Sequence, residues 1–387
     1  MAYTKKILLT SLSGQLGGLE LRLRDEARFL NNLGHSAELA INPFPEIYPW
    51  VEHLKQEGIP FHFFDPPPFF EEWRWRRFNK LRAYLFHRQF YKQRKADLVH
   101  VALAWTETGG TRLWLAHKAN IPTVISVHNA FPYGEFTSWH QNILFESFQS
   151  VKAVYAVSDS ALDHFVKIFS RFLKNDTRLE IIYNPVDIHK FQPSEQAGRM
   201  GRVQLGMPEH AIVLGVVGRL DEQKRPELFI DVFAALKLEF PDLFLLFIGQ
   251  GNLEAQCRKK VTNLGLERSV QFTGFQRDVQ NILPVLNLHV LLSSLEGFGI
   301  ATAEAMACGV PVIATDVPGS RDILRNSHAG VLVPKDDFHQ IVECLRNLIV
   351  DEKKRNFMAQ QGPIEVKQRF SSEIIGKKLE NFYQNIL

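Results

Sequence analysis

The stretch AIVLGVVGRLDEQKRPELFIDVFAALKLEFPDLFLLFI, Ala211 to Ile248, holds one complete structural unit. Ala211 to Val217 is an apolar run of strand length, and Gly218 to Arg225 is a polar turn opened by a glycine. Pro226 suits a first helical turn, apolar residues recur at helical spacing to Phe240, and Pro241 stops the helix. Leu243 to Ile248 is a second buried strand. Strand, glycine-containing turn, helix and strand form the unit of a parallel, doubly wound sheet. The amino terminus follows the same plan: strand Lys6 to Thr10, loop Ser11 to Gly18, helix Leu19 to Leu33, turn Gly34-His35 and strand Ala37 to Ile41. The architecture repeats while the sequence does not, which predicts an α/β fold of two Rossmann-like domains in tandem.

Length agrees, since 387 residues at ~150 per domain allow two or three domains. Further strands are expected at Asp97 to Ala102, Thr123 to Val127, Ala153 to Val157 and Leu179 to Tyr183 in the first domain. The second adds Val270 to Phe272, Leu288 to Leu292, Pro311 to Ala314 and Gly330 to Val333. Asn184-Pro185 ends a strand and begins a Pro-, Gln- and Gly-containing stretch, so the boundaries are set at 1–184 and 185–370. Residues 371–387 read as an amphipathic helix with Ile375, Leu379, Phe382 and Tyr383 on one face.

Composition narrows the class. With 45% hydrophobic and 22% charged residues the chain is globular, which excludes disorder, collagen and coiled coil. Cys257, Cys308 and Cys344 make neither a disulfide framework nor a zinc pattern, so a reducing compartment is expected. The apolar run Ile7 to Leu9 is too short for a signal peptide, and no stretch reaches the ~18 apolar residues of a membrane span. A cytoplasmic protein is expected. A net charge of +3 gives no nucleic-acid footprint.

Open α/β sheets bind ligands beyond the carboxyl ends of their strands. Gly14 to Gly18, with Gly17-Gly18 opening a helix, would let backbone N–H groups approach an anion, although such turns are common structural devices. Gly218-Arg219 ends a strand and Lys224 follows in the same turn. Two cations there suit a diphosphate; the alternative is a solvated turn paired with Asp221 and Glu222. The richest run is SSLEGFGIATAEAMACGVP, Ser293 to Pro311. The N–H groups of Phe298, Gly299 and Ile300 at a helix start would cradle a phosphate. Glu296 and Glu304 would be ~80° apart on one helix, but with Glu296 in the loop both can reach one ligand. Paired carboxylates beside a phosphate site point to sugar or ribose hydroxyls.

This run resembles the retaining glycosyltransferases of family 4, which have the GT-B architecture of two Rossmann-like domains facing a central cleft. Glu296 and Glu304 fit the family's Glu-x7-Glu motif, with Gly297, Phe298 and Gly299 between. GVVGRLDEQKRPE, FIGQGNLE with Gly249, VQFTGFQRDV, ATDVPGSRDIL and AGVLVPKDD follow in family order. The family usually has Glu where this chain has Asp322. GGLELRLRDEARFLNNLGHSAEL, SVHN with His128, AVSDS and YNPVD match more loosely in the first domain.

The resemblance implies retaining transfer of a hexosyl group from a nucleoside-diphosphate sugar, without a cofactor or metal, to a hydroxyl of a glycan or lipid-linked acceptor. It implies that Arg219 and Lys224 neutralise the diphosphate, helped by Gly218 and Gly249 and by the backbone of Phe298, Gly299 and Ile300. Glu296 would hold the sugar and Glu304 the ribose. His128 would lie over the sugar, the alternative being a hydrogen-bonded strand-end residue; Gly17-Gly18 would face the diphosphate or the acceptor, and Phe275-Gln276 would lie beside the base. The terminal helix would pack back on the first domain. The alternatives are another GT-B enzyme, such as a sugar-nucleotide epimerase or phosphorylase, or a non-catalytic carbohydrate-binding relative.

One segment stands apart. Phe61 to Lys95 takes a large share of the 30 phenylalanines and includes WRWRRFNKLRAYLFHRQFYKQRK from Trp73. Its nine Lys and Arg alternate with aromatics at spacings compatible with one helix face. Trp73, Arg74, Trp75, Arg76 and Arg77 would meet an anionic membrane at its cytoplasmic face, or an acceptor. The alternative is a surface helix packed on the first domain.

Overall fold

The computed structural model describes residues 4–12, 16–45, 47–72, 74–104, 109–129 and 135–387. Two compact units emerge, Met1–Tyr183 with Gly376–Leu387, and Asn184–Ile375. Trp73 and Gly14 fall outside the described residues.

In the first unit the described residues form a seven-stranded sheet. Its strands are β1 (Lys6–Ser11), β2 (Ser36–Ile41), β3 (Phe61–Phe63), β4 (Leu98–Leu103), β5 (Thr123–Val127), β6 (Val151–Ala156) and β7 (Arg178–Ile181), in the order 3-2-1-4-5-6-7. Every pairing is parallel. Both faces are covered, so β4 and β5 are buried throughout rather than alternating. The helix Gly18–Asn32 buries Leu23, Ala27 and Leu30 at helical spacing, together with the charged Arg22 and Glu26.

The second unit repeats the plan with six strands: β8 (Ile212–Val217), β9 (Leu243–Ile248), β10 (Val270–Phe272), β11 (Leu288–Leu291), β12 (Val312–Thr315) and β13 (Gly330–Val333). Their order is 10-9-8-11-12-13, again parallel throughout. The order reverses at β8 and β11, and there the ligand-binding loops of such sheets gather.

The terminal helix Ser372–Gln384 begins in the second unit and continues, from Gly376, as part of the first. Its Ile375, Leu379, Phe382 and Tyr383 are all buried, the face predicted from sequence.

Candidate functional site

In the second unit, the turn after β8 and the loop after β11 are locked together. Gly249 lies so close to the Gly218 carbonyl that a Cβ there would stand 2.0 Å from its oxygen, so only glycine fits. The turn is then pinned across the switch point: Ser294 N–H donates to the Gln223 carbonyl at 2.8 Å, and Gln223 Nε2 donates to the Leu295 carbonyl at 2.9 Å. These bonds bring Lys224 to the loop. Lys224 Nζ donates to Glu296 Oε1 at 2.5 Å, with Glu296 buried and Lys224 nearly so.

Behind this pair, Gly319 N–H donates to the Glu296 carbonyl, and a Cβ on Gly319 would strike the Phe298 nitrogen at 2.7 Å. The helix Pro318–Leu324 therefore clamps the loop from below. The helix Ile300–Ala307 starts at Gly299, which caps it in the left-handed region at φ +85°. Gly299 and Ile300 thus sit at the positive end of the helix dipole. Phe298 turns its ring into the core, edge-on to Phe370, so only its backbone can serve a ligand.

Glu304 lies on that helix with part of its surface still accessible. Its surroundings are nonetheless apolar enough that burial pushes its carboxyl up to about 7, against the pull of Lys190. Arg219 belongs to the same turn as Lys224. It is half-exposed, with Asp221 at 3.4 Å as its ion-pair partner. Phe275 is 70% exposed, a large aromatic held out beside Gly274, and Gln276 Nε2 is tied back to the Thr273 carbonyl.

The first unit holds His128 just beyond β5. Its Nε2 lies 2.8 Å from Ser126 Oγ, and burial, with Arg22 and His100 nearby, holds the imidazole down to about 3. It is therefore neutral near pH 7. Gly17 has extended backbone, and a Cβ on Gly18 would meet nothing within 4 Å. Nothing among the described residues demands glycine at position 18.

Comparison with known proteins gives the family and the fold. The profile of Glycosyltransferase Family 4 matches residues 16–190, and that of Glycosyl transferases group 1 matches 201–364. The chain belongs to glycosyltransferase family 4. It is 25% identical over 274 residues to an Escherichia coli UDP-Gal:alpha-D-GlcNAc-diphosphoundecaprenol alpha-1,3-galactosyltransferase, covering 69% of this chain and 70% of that one. It is 27% identical to the N-acetyl-alpha-D-glucosaminyl L-malate synthase of Bacillus anthracis, covering 70% and 77%. Several other curated relatives are matched over about half their length. The fold is GT-B: Anabaena HepE, solved with UDP and glucose, superposes with a TM-score of 0.80 at 23% identity, over 98% of this chain and 99% of that one.

The glycosyltransferase departs from the sequence expectation in its basic segment. The helices Arg76–Arg82 and Arg88–Arg94 are joined by a π-helical turn, Ala83–His87. A π turn accommodates an extra residue and rotates everything after it, so the aromatics do not share one face. Phe64, Phe69, Phe70 and Tyr91 are buried in the first core, where Phe90 stacks on Phe64 at 4.3 Å. Trp75, Phe78, Leu81, Leu85 and Phe86 face outward instead, with Trp75 and Phe86 each 70% exposed. Arg76 stacks on Trp139, while Arg74 and Arg77 are exposed.

Sequence reasoning also missed the side chains behind His128: Glu26, His100, Ser126 and Tyr383, all buried. The signal available was period-two spacing, Ser126-x-His128 on one strand and His100 on its neighbour. Among the described residues no group of three or more His, Cys, Asp or Glu has metal-binding geometry, and no helix is long and apolar enough to cross a membrane.

Proposed function

We propose that this glycosyltransferase moves a hexosyl group from a nucleoside-diphosphate sugar to a hydroxyl of a glycan or lipid-linked acceptor of the cell envelope, with retention at the anomeric carbon and without a divalent metal. The observation that carries the donor reading is the Lys224–Glu296 pair, held at 2.5 Å beyond the carboxyl ends of a parallel sheet. Cleaving a sugar–phosphate bond leaves charge on the diphosphate, and a preorganised ammonium in a poorly hydrated site stabilises it as it develops. Lys224 takes that role, with Arg219 swinging from its loose partner Asp221 to share it. Glu296 orients Lys224 and accepts from the sugar hydroxyls.

Glu304 accepts from the ribose, and Phe275 offers a stacking surface for the base. Gly249 and Gly218 keep the turn in shape, and Gly17 and Gly18 leave room for a phosphate. His128, being neutral, meets the sugar through a hydrogen bond rather than a charge. Two cations neutralise the leaving group where other enzymes use a metal. A double displacement needs a free carboxylate nucleophile, and Glu296 is engaged by Lys224. Front-side attack, with the leaving phosphate taking the acceptor proton, is the mechanism we favour.

HepE with UDP and glucose, and the undecaprenol-linked acceptor named for the E. coli relative, support a UDP-sugar and a lipid-linked acceptor. The outward aromatics with their basic neighbours support contact with an anionic membrane at its cytoplasmic face.

Thermal shifts with UDP-, GDP- and ADP-sugars test the donor, because a ligand of the folded state raises the melting temperature. Turnover with the best donor, an acceptor extract and a chelator follows, with the product's anomeric configuration read by NMR. Conversion of donor without acceptor, or dependence on inorganic phosphate, would replace this reading by an epimerase or a phosphorylase.

A further inference from the structure

Register places one polar line on one face of the first sheet. Ala102 of β4 pairs with Ser126 of β5, and Ser126 pairs with Tyr155 of β6. Side chains alternate along a strand, so His100, Ser126, Tyr155 and His128 all project to the same side. The helix Gly18–Asn32 brings Arg22 and Glu26 to that side, and the terminal helix brings Tyr383. His100, Ser126 and Glu26 are essentially sealed from solvent.

The proton positions along this line follow by elimination. Glu26 is an ionised carboxylate, with Arg22 Nε 3.6 Å from its Oε2 and the hydroxyls of Tyr155 and Tyr383 directed at its two oxygens. A carboxylate only accepts, so Tyr155 donates to Oε2 at 2.5 Å and Tyr383 donates to Oε1 at 2.6 Å. The Tyr383 hydroxyl has spent its proton, so at 3.0 Å its oxygen must accept from His100 Nδ1, which also faces Glu26 Oε1 at 3.3 Å. The His100 proton is therefore on Nδ1. In neutral His100 the bare Nε2 then accepts from Ser126 Oγ at 2.7 Å, and Ser126 Oγ accepts in turn from His128 Nε2 at 2.8 Å.

We propose that Glu26 and Tyr383, acting through His100 and Ser126, are positioning residues that fix His128 as its Nε2–H tautomer and present Nδ1 to the transferred sugar as a hydrogen-bond acceptor. The proposal rests on the reading above that His128 faces the sugar. It has a further consequence for the direction of the chain. The groups around His100 are Arg22 and Glu26 from the first helix, Ser126 and His128 from the β5 end, Tyr155 from β6 and Tyr383 from the terminal helix. If His100 takes a second proton, its Nε2 must donate to Ser126, and Ser126 then donates to His128 Nε2. The proton of neutral His128 moves to Nδ1, and an acceptor becomes a donor.

The test uses the full chain with 15N-labelled histidine, since a bare and a protonated ring nitrogen resonate far apart. Wild-type His128, assigned by loss of its signals in His128→Ala, should be protonated on Nε2 near pH 7. Ser126→Ala and Tyr383→Phe, the second keeping its ring in the core, should each scramble that tautomer and lower kcat about tenfold while donor KM changes little. A wild-type His128 protonated on Nδ1, or an unchanged tautomer and kcat in both variants, overturns the proposal. Full turnover by His128→Ala would instead sink the reading that His128 serves the sugar. Lost turnover there, with the chain variants behaving as wild type, sinks the positioning chain alone.

Discussion

In the second unit Lys224 stands 2.5 Å from Glu296 and both are largely withdrawn from water; in the basic segment of the first, nine Lys and Arg lie between Arg74 and Lys95 without one carboxylate. The same kind of cation is thus held in two ways. A buried cation with a fixed counter-charge has one geometry and suits one small anion. Cations without counter-charges, stacked on rings as Arg76 is on Trp139 and Arg88 on Tyr84, leave a field spread over a surface. The proposed function gives the first arrangement to chemistry and the second to adhesion.

The largest expected effect breaks the first arrangement. Lys224→Met removes the developing-charge partner, and kcat should fall about 100- to 1,000-fold. Because Glu296 would be left as a lone buried carboxylate, Lys224→Met combined with Glu296→Gln is the fair control for folding. A double variant with a normal melting temperature and near-wild-type kcat would remove the pair from the mechanism.

Next comes the surface. Arg74→Glu together with Arg77→Glu reverses two exposed charges, each basic residue being worth about 1 kcal/mol near an anionic membrane. Sedimentation with phosphatidylserine-containing vesicles should weaken about 30-fold or more, and added salt should mimic the change. Turnover of a soluble acceptor should be untouched. Equal partitioning of variant and wild type would show that the exposed aromatics serve something other than a membrane.

A smaller effect is set by Glu304. Its carboxyl ionises only at about 7, and an ionised carboxylate accepts better from ribose hydroxyls. Affinity for a nucleoside diphosphate should therefore rise several-fold as pH rises through about 7, and Glu304→Gln should flatten the dependence. The stability linkage has the opposite sign. A carboxyl raised from 4.5 favours the folded state most fully below 4.5, and that contribution is lost as pH climbs through about 7. Calorimetry that finds neither trend would place Glu304 away from the ribose.

The smallest effect is at Gly18. An added Cβ meets nothing within 4 Å, so Gly18→Ala should raise stability by about 0.5–1 kcal/mol. If a phosphate approaches that backbone, donor affinity should fall in the same variant. A gain in stability with unaltered affinity would assign the glycine no ligand.

Local signals carried most of the fold. Each strand–turn–helix–strand opening was legible from apolar runs punctuated by Gly218, Pro226 and Pro241, because those constraints act within a few residues. The motif at Glu296 to Glu304 marked the candidate site for the same reason. The pairing of Lys224 with Glu296 was not legible: 72 residues separate them, and only the switch point of the sheet brings them together. The π turn at Ala83–His87 was hidden as well, since an inserted residue leaves the sequence looking helical while it redirects every later side chain. The polar line behind His128 needs strand register, which no single segment contains.

Tyr383 reaches Glu26 across 357 residues of chain. During synthesis the first unit's sheet can form early, yet its polar line stays open until the terminal helix has been made and has returned. Residues 1–183 must wait with Glu26 and His100 short of one partner while the whole second unit is translated. The turn that carries Tyr383, translated after the whole second unit, is then the one that completes the polar line of the first, which makes closure of that line around His128 a late step of folding.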